Sequence, residues 1–207
     1  MAGITGPDAN DPWKTTRDYV LGKKRAEEAL GFLTSAGACI ANAMTFPDAA
    51  QGTIDLTTPF LADWTSISLF APGGEASTCD FVSSSRGAVK PRETYQDLAL
   101  ALSALVGHDE GAAKAPVTVS ATNGADTSDD IAKHLLGQAQ DAGVAAAIAI
   151  PLIANGRVQG SLVALRVAAR RQPDFGDAAL LLLSDVSSRL AGAAELFALR
   201  ERDAVVR

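Results

Sequence analysis

The amino-acid sequence predicts an α+β domain: a central, mostly antiparallel β-sheet of about five strands, with the N- and C-terminal helices packed on one face. Three observations carry that expectation. Residues 147–165 form two β-rich apolar runs around Asn155-Gly156, a dipeptide that tolerates the two positive φ angles of a type I′ hairpin turn. Both chain ends carry apolar residues spaced three and four apart, the pattern of amphipathic helices. In residues 64–70, Thr65, Ile67 and Leu69 alternate with Ser66, Ser68 and Phe70, as expected of a strand with one face drier than the other.

Residues 1–12, rich in Gly, Pro, Asp and Asn, read as a disordered leader. A helical extension follows over 13–29, and the domain proper spans 30–200. Leu30, Leu33, Gly37, Ile40 and Met44 form a heptad-type stripe, which Tyr19 and Ala26 extend backwards through a charged stretch. Because the stripe begins ahead of any globular core, it is expected to meet a partner helix as well as its own domain. Phe46-Pro47-Asp48 opens a second helix running to about residue 62, with Asp48 as N-cap and Pro59 kinking the last turn. Ala50, Ile54 and Leu61 are its inward positions. After the strand at 64–70, Pro72-Gly73-Gly74 is a turn and 78–83 a second strand. Residues 93–106 are helical, with Leu98, Leu102 and Leu105 on one face; 107–116 is a loop and 117–120 a short strand. Capping residues at 126–130 precede a helix at about 131–142, and the hairpin strands follow. After a loop at 170–173, Asp174 caps a final helix in which Leu183, Val186, Leu190, Ala193 and Phe197 recur at three and four. The resulting order is α-α-β-β-α-β-α-β-β-α. Hairpin connections make such a sheet antiparallel.

The chain has 207 residues, which suits one domain with long terminal helices. A net charge of −6 disfavours nucleic acid or an anionic membrane surface as partner, since both demand a basic face. No apolar run is long enough to span a bilayer, and residues 1–10 lack the blocks of a signal peptide, so a cytoplasmic location is expected. Residues 201–207 read as the start of a linker to a missing output domain.

Chemistry-bearing residues are few. Cys39 and Cys79 are too few for a disulfide framework, and Asp80 beside Cys79 works against a reactive thiolate. His108 and His134 have Asp109, Glu110, Asp129 and Asp130 near in sequence, but such clusters read as the solvated surface of two loops. Gly73-Gly74 leads into a strand and so offers no helix N-terminus to a phosphate. No cofactor and no metal are expected. Gly192, among Ala191, Ala193 and Ala194, permits close approach of another helix.

Leu61-Ala62-Asp63-Trp64, then Ile150-Pro151-Leu152, Asn155-Gly156 and Val158-Gln159-Gly160, then an aromatic at Phe175 before a long helix, together resemble a GAF domain over roughly 30–200. The chain is similar in particular to the actinobacterial GAF domains that precede PPM-type serine phosphatases related to the sporulation phosphatases. The resemblance implies a signal-transduction regulatory domain that senses a small molecule, dimerises through its terminal helices, and controls such an output. The pocket it implies lies on the sheet face opposite the terminal helices, under 93–106, 107–116 and 131–142. Ser66, Ser68, Phe81, Tyr95 and Leu98 are its candidate lining, with His134 the one candidate for a haem ligand. The Asn-Lys pair and the Phe-x-x-x-Asp-Glu motif of cyclic-nucleotide binders are both missing, and neither cysteine has the histidine neighbour of bilin-attaching relatives. Few charges face the pocket, so its ligand, if there is one, is expected to be small and neutral or weakly polar. The alternatives are a ligand-free protein–protein interaction module and a redox enzyme of the same fold using Cys79.

Overall fold

The computed structural model describes residues 12–70, 79–85, 87–88, 90–107, 115–120, 130–168 and 174–206. In chain order the elements are α1 (Pro12–Asn42), α2 (Phe46–Leu61), β1 (Trp64–Leu69), β2 (Phe81–Ser84), α3 (Arg92–Gly107), β3 (Val117–Ser120), α4 (Asp130–Asp141), β4 (Val144–Ala154), β5 (Arg157–Val167) and α5 (Asp177–Val206). This is the order expected from the sequence. The leader at 1–11, the turn at 72–74, Thr78, and the loops at 108–114, 126–129 and 170–173 lie outside the described residues.

The strands form one antiparallel sheet in the order β2-β1-β5-β4-β3. Its centre is the β4–β5 hairpin, closed by Asn155 (φ 48°) and Gly156 (φ 74°), the two left-handed residues of a type I′ turn. Gly160 faces Leu69 on one side and Leu152 on the other; a Cβ there would strike the Ser68 carbonyl oxygen, so only glycine lets β1 and β5 close up.

Helices cover both faces. On one side α1, α2 and α5 bury Phe32, Ala36, Ile54, Leu61, Leu183, Val186 and Leu190 against Ile67, Ile148, Ile150, Leu152 and Leu162. On the other, α3 and α4 bury Tyr95, Leu98, Leu102, Leu135 and Ala139 against Trp64, Ala147, Ala149, Val163 and Leu165. The drier-face expectation for β1 therefore needs correction: Trp64 to Ser68 are all buried, because each face has its own helical cover.

Two caps also differ from expectation. Thr45, not Asp48, is the N-cap of α2; its hydroxyl accepts from the Asp48 N–H at 3.3 Å and donates to the Asp48 carboxylate at 2.7 Å. The final helix starts at Asp177, with the Gly176 carbonyl accepting from Ala179 and Leu180. Asp174 cannot cap it, since its carboxylate accepts from Ser120 Oγ at 2.6 Å and its carbonyl from Arg166 Nη1.

The terminal helices run side by side and parallel. Gly37 leaves room for the Arg189 guanidinium, and Ile40, Ala41 and Ala43 line a groove with Gly192, Leu196, Phe197 and Arg200. Residues 17–28 of α1 are exposed, so its N-terminal half overhangs the domain, whereas Ala198, Leu199 and Arg202 of α5, though exposed, line a groove with Ala154, Asn155, Arg157 and Gln159 of the β4–β5 hairpin. The heptad stripe is split: Leu33, Gly37 and Ile40 turn toward the core, while Tyr19, Ala26, Leu30 and Met44 remain exposed.

Candidate functional site

Strand parity assigns the side chains of β1. Trp64 packs under α3, so Ser66 and Ser68, two and four residues on, share its face, while Thr65 and Ile67 face α2 and α5. Both serines are fully buried. Ser68 lies opposite Ser161 of β5, whose hydroxyl donates at 2.7 Å to Ser103 Oγ on α3, both fully buried. The sheet face under α3 is thus floored by small residues, Ser66, Ser68, Ser161, Ala147 and Ala149. Leu98, Ala99 and Leu102 press on it from above.

The floor is bounded by Trp64 and Tyr95, ring centroids 6.1 Å apart, and the Tyr95 hydroxyl accepts from the Lys90 N–H at 3.2 Å. On the β2 side stands Cys79, whose Sγ donates to the Gln96 carbonyl of α3 at 3.9 Å. Burial pushes its thiol above the ordinary pKa of 9.0; hydrogen bonding from Ser68 and Ser66 and the charge of Arg92 act to lower it, and Asp80 to raise it. The result is a protonated, weakly nucleophilic thiol at neutral pH. Cys39 lies across the sheet between α1 and α2, against Gly52, so the two thiols cannot meet. Among the described residues no cluster of His, Cys, Asp and Glu could hold a metal ion, and no helix is long and apolar enough to cross a membrane.

Of the residues expected to line a pocket, Ser66, Ser68, Tyr95 and Leu98 come together. Phe81 does not. It pairs with Ile67 and so shares that residue's face, meeting Phe46 edge-on at 5.8 Å under the opposite helices; Val82 is the β2 residue that faces α3. His134 is also misplaced: it is exposed on α4, where Leu135 and Ala139 are the inward positions. His108, Asp109, Glu110 and Asp129 lie outside the described residues. Sequence reasoning missed Ser103, Ser161 and the indole of Trp64. A serine within the apolar run of β5, and another beside Leu102 on the inward face of α3, were the available signals.

The family model described as GAF domain matches residues 47–194. The fold is shared with a phycoerythrobilin-bound GAF domain of a cyanobacterial phytochrome, at 16% identity and a TM-score of 0.63, covering 85% of this chain and 99% of that one. It is also shared with the GAF domain of a phosphoenolpyruvate-protein phosphotransferase from Coxiella burnetii (16%, 0.59, covering 86% and 98%). A free methionine-R-sulfoxide reductase from Neisseria meningitidis, in complex with its substrate, has the same fold (14%, 0.59, covering 85% and 93%). No curated protein sequence matches the chain.

Proposed function

The chain belongs to the GAF domain family, and on that premise we propose that it is a regulatory module of signal transduction. In this reading it senses a small neutral molecule between the sheet and α3/α4, and it reports through the paired terminal helices of a homodimer. The observation that carries it is the shared central hairpin. β4 and β5 present Ala147, Ala149, Ser161 and Val163 to the α3 side and Ile148, Ile150, Leu152 and Leu162 to α5 and α1. A change in packing on the first side is therefore felt directly on the second. The overhang of α1 and the parallel course of α5 toward the hairpin end suit entry of a signal at one pole and exit at the other. The output best supported by the resemblance of the charged end Arg200-Glu201-Arg202-Asp203 is a PPM-type serine phosphatase. The position of Cys79, protonated and remote from Cys39, argues against redox catalysis.

The exposed apolar positions Tyr19, Leu30, Leu196 and Leu199 on the two terminal helices supply the dimer surface. Sedimentation at about 100 μM, which detects association down to roughly −5.5 kcal/mol, gives a dimer on this reading. Leu196→Asp gives a folded monomer, because the residue is half exposed in the protomer, with the melting temperature that the wild-type protein shows when diluted below its dissociation constant. A monomeric wild-type protein would remove the reading. A ligand-free interaction module is favoured by one feature, the direct packing of Leu98 and Leu102 on the sheet. It predicts that native mass spectrometry of freshly purified protein finds the bare dimer mass.

A further inference from the structure

We propose that the groove between the β4–β5 turn and the last turns of α5 is a docking site for an acidic peptide segment of a partner protein, held by Arg157 and Arg202. The site lies on the α5 side of the hairpin, and neither arginine enters the pocket or dimer readings above. Asn155 at φ 48° and Gly156 at φ 74° fix the turn, so Arg157 leaves it on a rigid element, as the first residue of β5. β1 ends opposite Gly160 and β3 opposite Ala149, so the tip of the hairpin extends past both neighbouring strands. Among the described residues α5 braces that tip, through the Asn155 amide donating to the Glu195 carboxylate. The groove between them measures about 540 Å³.

Two guanidinium groups and one carboxylate line this groove, on a chain whose 24 acidic residues outnumber its 18 basic ones. Neither arginine makes an ion pair or a hydrogen bond among the described residues. The sequence explains why. Arg202 has Ala198, Leu199, Val205 and Val206 at the three- and four-residue spacings where a helical partner would stand. Glu195 shares its face but lies two turns back, about 10 Å along the axis. Arg157 is paired across the ladder with Ala154. Other cations of α5 are answered: Arg189 by Asp185 at 2.6 Å, and Arg200 by the Phe197 ring at 5.5 Å. A third polar group joins the two arginines. Gly160 pairs with Leu152 but Val158 with Ile153, so Gln159 is an extra residue in the ladder, and its side chain lines the groove.

These groups select the occupant. An arginine fork grips a carboxylate by two parallel hydrogen bonds. The Gln159 amide offers a donor and an acceptor, which suits a peptide group better than a bare anion. Both arginines are exposed, and a small anion held by exposed charges alone gains little. The run from Glu195 to Arg202 has the length of about three extended residues. A nucleic acid or an anionic membrane would meet the repulsion of the whole chain, at −6. A short acidic segment feels mainly the local charges, those within a Debye length of about 8 Å.

The test is an NMR titration of the full chain with the capped peptide Gly-Glu-Ala-Glu-Ala-Glu-Gly. Amide signals of residues 155–159 and 195–202 should shift saturably, with a roughly millimolar midpoint. The same peptide with Gln for every Glu, and free glutarate, should each bind at least about tenfold more weakly. Arg157→Gln/Arg202→Gln should lose the response and keep its melting temperature, since both side chains are exposed. Glu195→Gln retains an acceptor for Asn155 and removes the one carboxylate of the groove, so it should bind at least about twofold more tightly. No saturable shift up to about 20 mM peptide, or shifts that survive the double arginine variant, would overturn the proposal. So would a Glu195→Gln protein that binds no more tightly. Equal binding of glutarate would make this a small-dicarboxylate site, and equal binding of octathymidylate a general polyanion surface; either result also overturns it.

Discussion

At Asp63 one residue ties two other pieces of chain, β5 and Ser85, to its own. Its carboxylate accepts from Val167 N at 3.0 Å and Ser85 Oγ at 3.3 Å, its N–H donates to the Leu165 carbonyl, and its own carbonyl accepts from Ser85 N. Arg166 secures the same corner, with Nε on the Leu61 carbonyl at the end of α2 and its guanidinium 4.3 Å from the Phe175 ring centroid. Asp63→Ala leaves a buried Val167 N–H without its acceptor and should cost about 2–3 kcal/mol in urea unfolding; a loss below about 0.5 kcal/mol would show that water replaces the carboxylate. Cys79 makes a pH prediction. Its thiol pKa is raised in the folded state, so above pH 9.0 the unfolded chain gives up a proton that the folded one retains, and stability falls as pH rises. Below that value the group contributes no pH dependence. Cys79→Ala should flatten this alkaline decline, and an unchanged pH profile would contradict the buried-thiol assignment. Asp63 was legible as part of a sequence pattern, but its partners Ser85 and Val167 lie 22 and 104 residues away and no local spacing names them. Phe81 shows the complementary failure: in a four-residue strand the face depends on register alone, and a slip of one residue exchanges Phe81 for Val82.

Among the elements, the long periodic ones were readable and the ends were not. The β4–β5 hairpin was fixed by Asn155-Gly156, because few dipeptides accept two positive φ angles. The start of α2 depended on a choice between two capping residues three apart, and the structure gives Thr45 the cap and Asp48 the reciprocal role. Thr45→Ala should therefore cost about 1 kcal/mol of stability. Asp48→Ala should cost less, since the Thr45 hydroxyl can still accept from the backbone N–H at that position. Thermal unfolding of the pair checks the order, and a larger loss at Asp48 would reverse the assignment. The start of α5 was misjudged because Asp174 is a good cap in isolation, whereas its carboxylate is already committed to Ser120 of β3. Such tertiary competition is invisible to local pattern. The stripe of α5 was correctly placed, yet its members are spent on the domain itself: Leu183, Val186 and Leu190 are fully buried. The apolar residues left over, Leu196 and Leu199, lie off that stripe.

For the molecule as a whole, α1 has 31 residues and α5 has 30, so each is about 45 Å long, against a domain only about 35–40 Å across. Parallel packing throws the N-terminal surplus of α1 to one pole, where residues 17–28 are exposed, and carries the exposed residues 198–203 of α5 to the other, alongside the β4–β5 hairpin. Isolated helical ends of that length are marginal in water. A partner's helices would stabilise them, and this is how the proposed dimer, the terminal rods and the signalling role become one claim. Hydrogen exchange across a protein dilution series tests it most directly. Amides of residues 17–31 and 194–203 should exchange slowly at about 100 μM protein and faster on dilution through the dimer dissociation constant, while those of β4 and β5 stay protected throughout. Complete exchange of both helical ends within seconds at every concentration would contradict a dimer that transmits its signal through the terminal helices.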